Sequence, residues 1–314
     1  MKLQTQIPLK PRENNQIDYS SKMLLLGSCF VENIGAQLEA SKFQTTINPF
    51  GILFHPKAIE RLVSNAINGY QYADADVFFN NEQWHCFDAH SKLSDTSKGE
   101  LLTRLNNQVE AAREQLKNAT HIIITLGTSW VYTEIETSKT VANCHKVPQK
   151  NFRKKILSVE EVLNSLQMVL ANIKSVNAKA SVIFTVSPVR HIKDGFIENT
   201  QSKSNLLAAI HQVLSENVIY FPSFEIMMDE LRDYRFYKED MLHPNETAIK
   251  YIWGKFQQVW ISSGALKTMQ TVMDIQKGIQ HKPFNPNSEA HFKFLQKLDV
   301  KKEQIQTCYP HISF

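Results

Sequence analysis

The stretch MLLLGSCF, residues 23–30, decides how the chain is organised. Its apolar residues run directly into Gly27 and Ser28, and the spacing of the apolar residues after Ser28 predicts a helix. A short, continuously apolar run of this kind is typical of a strand buried on both faces. A strand that ends in Gly-Ser before a helix places a hydroxyl at the carboxyl edge of a sheet, where ligands bind in open α/β folds.

Strand and helix patterns alternate along the rest of the chain. Continuous apolar runs predict further strands at 122–126, 182–186 and 218–221. Helical spacing of apolar residues predicts helices at 31–38, 57–68, 101–116, 158–173, 206–214 and 244–259. The fourth of these begins with the capping-box pair Ser158 and Glu161, and the last takes Pro244 as its first residue. This alternation predicts an α/β fold, with a parallel sheet covered on both faces.

Other parts of the chain lie outside this alternation. The polar sequence of residues 1–22 predicts an extended lead-in. The segment 70–98 is rich in aromatic and histidine residues that show no regular spacing. We predict that it is an ordered insertion able to wall a pocket. A loop of roughly 30 residues is predicted after Ser129. The last stretch predicts two polar-faced helices, so the predicted units are an α/β domain at 1–264 and a helical appendage at 265–314.

Composition excludes several classes of protein. The chain has 314 residues and is 42% hydrophobic, which is enough for a substantial buried core and excludes a disordered protein. Its net charge of +4 is small for this length, and the densest basic cluster, at 153–155, is interpreted as a solvated patch. We therefore predict no nucleic-acid partner.

Cysteine use and the N-terminal sequence predict a soluble protein of a reducing compartment. The four cysteines are widely spaced, without metal-site spacing or a disulfide framework. The N-terminus has no apolar core of signal-peptide length, and no run approaches the roughly 20 apolar residues of a membrane span. The expected location is the cytoplasm, with no membrane span.

Ser28 is a candidate nucleophile, provided that a base reaches it from elsewhere in the chain. The alternative is that Ser28 only caps the following helix, which serine does well. The pattern is not the Gly-x-Ser-x-Gly of α/β-hydrolases, because Phe30 stands at the final glycine position. Cys29 is a second candidate nucleophile, although a side chain next to the turn serine is expected to point into the core.

The stretch DMLHP at 240–244 offers the base that Ser28 needs. Asp240 and His243 are three residues apart in a loop, so the carboxylate can fix the imidazole tautomer and stabilise its charged form. The pair follows the fourth predicted strand and precedes a helix, which places it at the same sheet edge as Ser28. The alternative is a surface ion pair that includes a histidine at a helix start.

Other residues are candidates for holding the substrate. Backbone N–H groups beside Gly51 and Gly127 are candidates for an oxyanion hole, with ordinary turn glycines as the alternative. Arg190, just after a strand end, is a candidate for binding an anionic substrate group, with a structural ion pair as the alternative. His145 is assigned to the substrate pocket, with a hydrogen-bonded structural role as the alternative. The spacing of the remaining histidines and cysteines matches no known metal site, so we predict none.

Several of these stretches together resemble one known family. GSCF at 27–30, followed by Val31, resembles the signature that names the GSCFA domain family, with Val31 where the family name has Ala. The resemblance covers about residues 20–262. The further matching stretches, in order, are NPFG at 48–51, TLGT at 125–128, NCHK at 143–146, SPVR at 187–190 and YRFY at 234–237.

This resemblance implies a relation to the SGNH (GDSL-like) hydrolases and their flavodoxin-like, three-layer α/β/α fold. By position, Ser28 would be the nucleophile, and Asp240 and His243 would be the acid–base pair. Gly51 would be the glycine whose N–H, together with the N–H of Ser28, helps to form the oxyanion hole. The superfamily usually has Asp before its nucleophile, where Gly27 stands in this chain.

A second departure concerns the oxyanion hole. The third superfamily block usually reads Gly-x-Asn, but Ser129 stands at the Asn position. The third donor of the oxyanion hole is therefore either Ser129 or Asn143, which comes from the long loop. Losing one such donor costs about 100–1000-fold in rate in other enzymes.

The sequence thus predicts a serine esterase or acyl hydrolase. Ser28 attacks an ester carbonyl, His243 takes its proton and later activates water, and Asp240 orients His243. The expected substrate is a small-molecule or glycan O-acyl ester, and no cofactor is expected. The alternatives are a ligand-binding protein on a degenerate hydrolase scaffold, which the Ser129 departure favours, and an acyltransferase. The oligomeric state is not predicted.

Overall fold

A computed structural model describes residues 5–314, in which a parallel sheet carries helices on both faces. The strands are β1 Lys22–Gly27, β2 Gln44–Ile47, β3 Val77–Asn80, β4 Gln83–Cys86, β5 His121–Leu126, β6 Trp130–Glu134, β7 Thr140–Val141, β8 Phe152–Ile156, β9 Ser181–Val186 and β10 Val218–Tyr220. The helices are α1 Cys29–Ala40, α2 Pro56–Asn68, α3 Lys98–Asn118, α4 Val159–Val176, α5 Phe196–Gln212, α6 Ser223–Glu225, α7 Glu246–Trp260, α8 Ser263–Gln280 and α9 Glu289–Cys308.

The central sheet has five strands in the order β2-β1-β5-β9-β10, all parallel. Counted along the chain within this sheet, the order is 2-1-3-4-5, which is the flavodoxin-like arrangement. The predicted three-layer α/β/α fold is therefore confirmed. The order reverses between β1 and β5, so the crevice at the carboxyl ends of these two strands is the point where such folds bind ligands.

The apolar run of β1 divides between two cores. Leu24 and Leu26 pack into the core formed with α2, α3, α4 and α5 on one face. Met23 and Leu25 pack into the core on the other face, with α1 and α7. Because successive strand residues point to opposite faces, a strand covered on both sides needs apolar residues at every position.

Three regions of the chain contain more strand than predicted. The expected insertion at 70–98 is ordered and contains the β3–β4 hairpin. The expected loop after Ser129 is wrong over much of its length, because β6, β7 and β8 form a three-stranded antiparallel sheet there. β2, at one edge of the central sheet, was also not predicted. These short strands are mostly half-buried, so they lack a continuous apolar run.

The helix starts show one confirmed prediction and one correction. Ser158 and Glu161 form the predicted capping box, with Glu161 N–H donating to Ser158 Oγ at 3.1 Å and Ser158 N–H donating to Glu161 Oε2 at 3.0 Å. Pro244 does not begin α7. Asn245 caps that helix instead, because its Oδ1 accepts the Ala248 N–H at 3.1 Å.

The C-terminal helices pack against the same core as α1 and α7. Met269, Val272 and Ile275 of α8, together with Leu298 and Ile305 of α9, are buried there. The predicted division after residue 264 falls inside the first turn of α8. Residues 1–4 of the predicted lead-in lie outside the described residues. A bilayer-crossing helix is absent from residues 5–314, since each helix there is too short or too polar.

Candidate active site

The carboxyl ends of β1 and β5 are joined to each other and to the segment that precedes α2. Ser28 N–H donates to the Thr125 carbonyl oxygen at 3.0 Å. Leu53 N–H donates to the Gly27 carbonyl oxygen at 3.1 Å, and Gly127 N–H donates to the Phe54 carbonyl oxygen at 2.7 Å. These bonds fix Ser28 at the point where the strand order reverses.

Gly27 is required by this geometry. Its φ is +135°, and a Cβ on it would lie 2.2 Å from the Thr125 carbonyl oxygen. No side chain fits in that space, and L-residues avoid that φ. Glycine therefore allows β1 to turn closely enough for the next residue, Ser28, to bond to β5.

Ser28 is both the cap of α1 and a buried hydroxyl at the sheet edge. Its Oγ accepts the Phe30 N–H at 3.3 Å, and only 1% of the residue is exposed. Capping uses a lone pair of Oγ and leaves the hydroxyl proton available for donation. The N-terminal end of α1 also favours negative charge on a group placed there. The capping role and the nucleophilic role are thus compatible.

Asp240 and His243 converge as the sequence predicted. Nδ1 of His243 lies 2.6 Å from Asp240 Oδ2. Asp240 Oδ1 also accepts the N–H groups of Leu242 and His243, at 2.9 and 3.0 Å. Hydrogen bonds from the His243 and Leu242 N–H groups lower the pKa of Asp240 to about 2. The ionised carboxylate accepts a hydrogen bond from Nδ1–H, which leaves Nε2 of the half-exposed imidazole as the acceptor.

The loop that carries His243 lies against the sheet edge. Arg190 N–H, beyond the end of β9, donates to the Leu242 carbonyl oxygen at 3.1 Å. The His191 ring lies on Gly127, at 3.1 Å from the position that a Cβ would take. Burial, together with the nearby Lys203 and His243, lowers the pKa of His191 to about 3.

Ser28 and His243 are not hydrogen-bonded to each other in the part of the chain that the structure describes. Within residues 5–314, no hydrogen bond joins Ser28 Oγ to the His243 ring.

Burial raises the pKa of the neighbouring Cys29 thiol, and Glu32 raises it further, while the ammonium groups of Lys203 and Lys238 oppose this. A buried thiol with a raised pKa is a poor source of thiolate, which disfavours Cys29 as the nucleophile.

Two of the predicted oxyanion donors, the N–H groups of Gly51 and Ser129, have partners inside the fold. Gly51 N–H donates to the Asn48 carbonyl oxygen at 2.7 Å. Ser129 is fully buried, with its N–H on Ser202 Oγ at 2.7 Å and its hydroxyl on the Ser202 carbonyl oxygen at 3.2 Å. Asn143 uses its Oδ1 to accept the His145 N–H at 2.8 Å. Their oxyanion roles remain predictions.

Arg190 borders a cavity beside the His243 loop. Its guanidinium carbon lies 4.5 Å from the centre of the Tyr237 ring and 5.1 Å from that of Tyr234. The Arg190 Nη1 donates to the Tyr234 hydroxyl at 3.3 Å. The cavity has a volume of about 380 Å³, and Arg232 and Asp233 also line it. This arrangement offers aromatic faces and charged hydrogen-bonding groups to a ligand.

His145 lies between β7 and β8 and is buried against the insertion at 70–98. It is 4% exposed, and its Nε2 donates to the Cys86 carbonyl oxygen at 2.7 Å. Its ring centre is 4.7 Å from that of His85. Burial lowers the pKa of His145 to about 4. Across residues 5–314, no group of three or more His, Cys, Asp or Glu side chains is arranged to hold a metal ion.

Lys203 of α5 is a site residue that the sequence analysis missed. It is 1% exposed, and its Nζ donates to the carbonyl oxygens of Gly127 and Ser187, both at 2.7 Å. These residues directly follow β5 and β9. Burial lowers the pKa of Lys203 to about 7. The sequence pattern that could have revealed Lys203 is its position on the apolar face of the helix, in line with Leu206 and Ile210.

Comparison with known families identifies the group to which this chain belongs. The model of the GSCFA family matches residues 22–256. The chain belongs to the GSCFA family. In this GSCFA protein, residues 272–314 also match the C-terminal domain of GSCFA domain proteins. A search of curated proteins found no match.

Solved structures that resemble this GSCFA protein do so weakly. A carbohydrate esterase family 3 protein from Talaromyces cellulolyticus has a TM-score of 0.36 and 10% identity, over 81% of this chain and 99% of that one. An acetyl esterase variant with an acetate ion gives the same four values. An acetyl xylan esterase from the rumen bacterium Butyrivibrio proteoclasticus has a TM-score of 0.38 and 11% identity, over 76% of this chain and 63% of that one.

Proposed function

We propose that this GSCFA protein is a serine esterase or acyl hydrolase. The observation that carries the proposal is the Asp240–His243 pair, which is bonded at 2.6 Å and held by Arg190 against the sheet edge where Ser28 opens α1. A base oriented by a carboxylate, near a serine at a helix N-terminus, is the arrangement that activates a hydroxyl for acyl transfer.

The reaction proceeds in two halves. Ser28 Oγ attacks the ester carbonyl carbon while His243 Nε2 takes the hydroxyl proton, and Asp240 stabilises the imidazolium. The tetrahedral intermediate collapses, the C–O bond to the alcohol breaks, and His243 returns the proton to the leaving oxygen. Water then attacks the acyl-Ser28 ester with His243 as base, which releases the carboxylic acid and restores Ser28. For this to occur, His243 must close on Ser28 when the substrate is bound.

Two features support a small acyl group on a larger alcohol. Because Ser28 is 1% exposed, a small acyl group such as acetyl fits beside it more readily than a long chain. The cavity lined by Arg190, Tyr234 and Tyr237 lies next to the His243 loop and offers aromatic faces and polar groups for a sugar ring. We therefore propose an acylated carbohydrate or a related small ester as the substrate.

The test is hydrolysis of p-nitrophenyl acetate and of acetylated sugars by the wild type and by Ser28→Ala. We expect the variant to lose catalysis, with a drop of about 1 kcal/mol in the free energy of unfolding from the lost cap. Ser175→Ala, on the exposed part of α4, is the matched control and keeps full activity. Equal rates for Ser28→Ala and the wild type would exclude Ser28 as the nucleophile.

A second function, ligand binding without catalysis, is favoured by the internal hydrogen bonds of the donor groups. The N–H groups of Ser28, Gly51 and Ser129 all bond within the fold. If the protein only binds ligands, calorimetry would detect binding of acetylated sugars, the sugars would stay intact, and the protein would not react with a fluorophosphonate. An acyltransferase would instead give acylated products when a sugar acceptor is added.

A further inference from the structure

The Asn48 side chain reaches the backbone directly beside the candidate nucleophile. Its Oδ1 accepts the Gly27 N–H at 2.9 Å. The backbone N–H of Asn48 donates to the Leu25 carbonyl oxygen at 2.9 Å, and the backbone carbonyl oxygen of Asn48 accepts the Gly51 N–H at 2.7 Å. The residue is 8% exposed and has a φ of +44°, a conformation that Asn adopts more readily than other residues with a side chain.

These bonds fix which way the carboxamide faces. The Gly27 N–H needs an acceptor, and only the oxygen of the amide can accept, so Nδ2 points away from that bond. Within residues 5–314, the buried Nδ2 has no hydrogen-bond partner. A buried donor without a partner is rare in folded proteins, because leaving one unpaired is unfavourable. The fold therefore holds an unused N–H donor in the residue that is bonded to Gly27.

We propose that the Asn48 side-chain amide is an oxyanion donor of this site, in place of the asparagine that the third block lacks. The inference rests on the proposed esterase function. Ser129 is bound to Ser202, and Gly51 is bound to the Asn48 backbone, whereas Nδ2 of Asn48 is ready to donate to a substrate carbonyl oxygen as that oxygen becomes negative.

The start of α1 provides a second donor, on the residue directly after the nucleophile. Cys29 is the first residue of α1, and the first N–H groups of a helix have no acceptor within the helix. The developing oxyanion is therefore expected to lie between the Cys29 N–H and the Asn48 Nδ2. Within the described residues, Nδ2 of Asn48 does not have to be freed from another bond, unlike the donors at Gly51 and Ser129.

Two substitutions remove the Nδ2 donor, and they differ in whether the acceptor for the Gly27 N–H stays. Asn48→Asp keeps an oxygen for the Gly27 N–H but loses the Nδ2 donor. Asn48→Gly tolerates the φ of +44° and removes the amide without adding charge. For p-nitrophenyl acetate, both variants are expected to lose about 100–1000-fold in kcat while KM changes little, because the bond forms only in the transition state.

Asn177→Asp is the matched control, since Asn177 bonds to the carbonyl oxygens of Leu116 and Ala119, before the start of β5 and away from Ser28. It is expected to lower the melting temperature and leave kcat unchanged. A folded Asn48→Asp or Asn48→Gly protein with wild-type kcat would overturn the inference and leave the esterase function standing. A wild type that neither hydrolyses esters nor reacts with a fluorophosphonate would overturn the esterase function, and this inference with it.

Discussion

The Arg190 N–H donates a hydrogen bond to the Leu242 carbonyl oxygen at 3.1 Å. Through this bond, the loop after β9 lies against the loop that holds Asp240 and His243, although α5 and β10 separate them along the chain. The predicted base is thereby held at the carboxyl edge of the sheet, at the edge where Ser28 follows β1.

Asp240→Asn tests whether the carboxylate works through His243. The amide oxygen can still accept the N–H groups of Leu242 and His243, so the turn is expected to remain. The amide cannot stabilise the imidazolium or hold the correct tautomer, and we expect kcat to fall by about 10⁴-fold. The measurement is kcat for p-nitrophenyl acetate, with Asp274→Asn on the exposed face of α8 as the control. A kcat for Asp240→Asn close to that of the wild type would exclude this role.

Gly27→Ala tests the turn that presents Ser28. The added Cβ would meet the Thr125 carbonyl oxygen in a backbone conformation that L-residues avoid, so we expect a loss of about 2–5 kcal/mol in the free energy of unfolding. The control is Gly254→Ala in α7, where a Cβ meets nothing within 4 Å. That substitution is expected to stabilise the protein by about 0.5–1 kcal/mol. Chemical denaturation measures both, and equal stability of the two variants would contradict this account of Gly27.

Lys203 gives a prediction for the pH dependence of stability. Burial lowers its pKa to about 7 in the folded protein, while an unfolded lysine titrates near pH 10.4. Between these values the unfolded chain binds more protons, so the free energy of unfolding rises with pH. The part of the free energy of unfolding that depends on Lys203 being neutral is fully present above about pH 10.4, and it is lost as the pH falls through about 7.

Lys203→Met isolates this effect. The difference in the free energy of unfolding, wild type minus Lys203→Met, is expected to rise from about pH 7 to pH 10 by at most about 1.4 kcal/mol per pH unit. Denaturant unfolding at a series of pH values measures it. Lys174→Met, on an exposed position of α4, serves as the control and keeps the wild-type slope. A difference that stays constant over this range would show that Lys203 keeps an ordinary pKa.

The sequence predicted the central strands well because their signal is local. β1, β5 and β9 are buried along their length, and their apolar runs located each of them to within one residue at either end. β2 and β8 were not predicted. Both are short strands that mix polar or charged residues with few apolar ones, so neither a continuous run nor a clean alternation marks them.

The residues of the candidate site also fall into those that a local sequence pattern predicted and those that it did not. Ser28, Asp240 and His243 could be proposed because each stands beside a recognisable strand or helix pattern. The contributions of Asn48 and Lys203 depend on hydrogen bonds to distant backbone atoms at the sheet edge, which no local pattern reports. Their environment emerges only when β1, β5 and β9 are placed side by side.

The most direct test of the central claim, that Ser28 is an activated nucleophile, is peptide mapping by mass spectrometry after treatment with a fluorophosphonate. We predict an adduct on Ser28 in the wild type, no adduct in Ser28→Ala, and much slower labelling in His243→Ala. Folded wild-type protein that stays unlabelled, or an adduct that forms equally fast in Ser28→Ala, would contradict the claim.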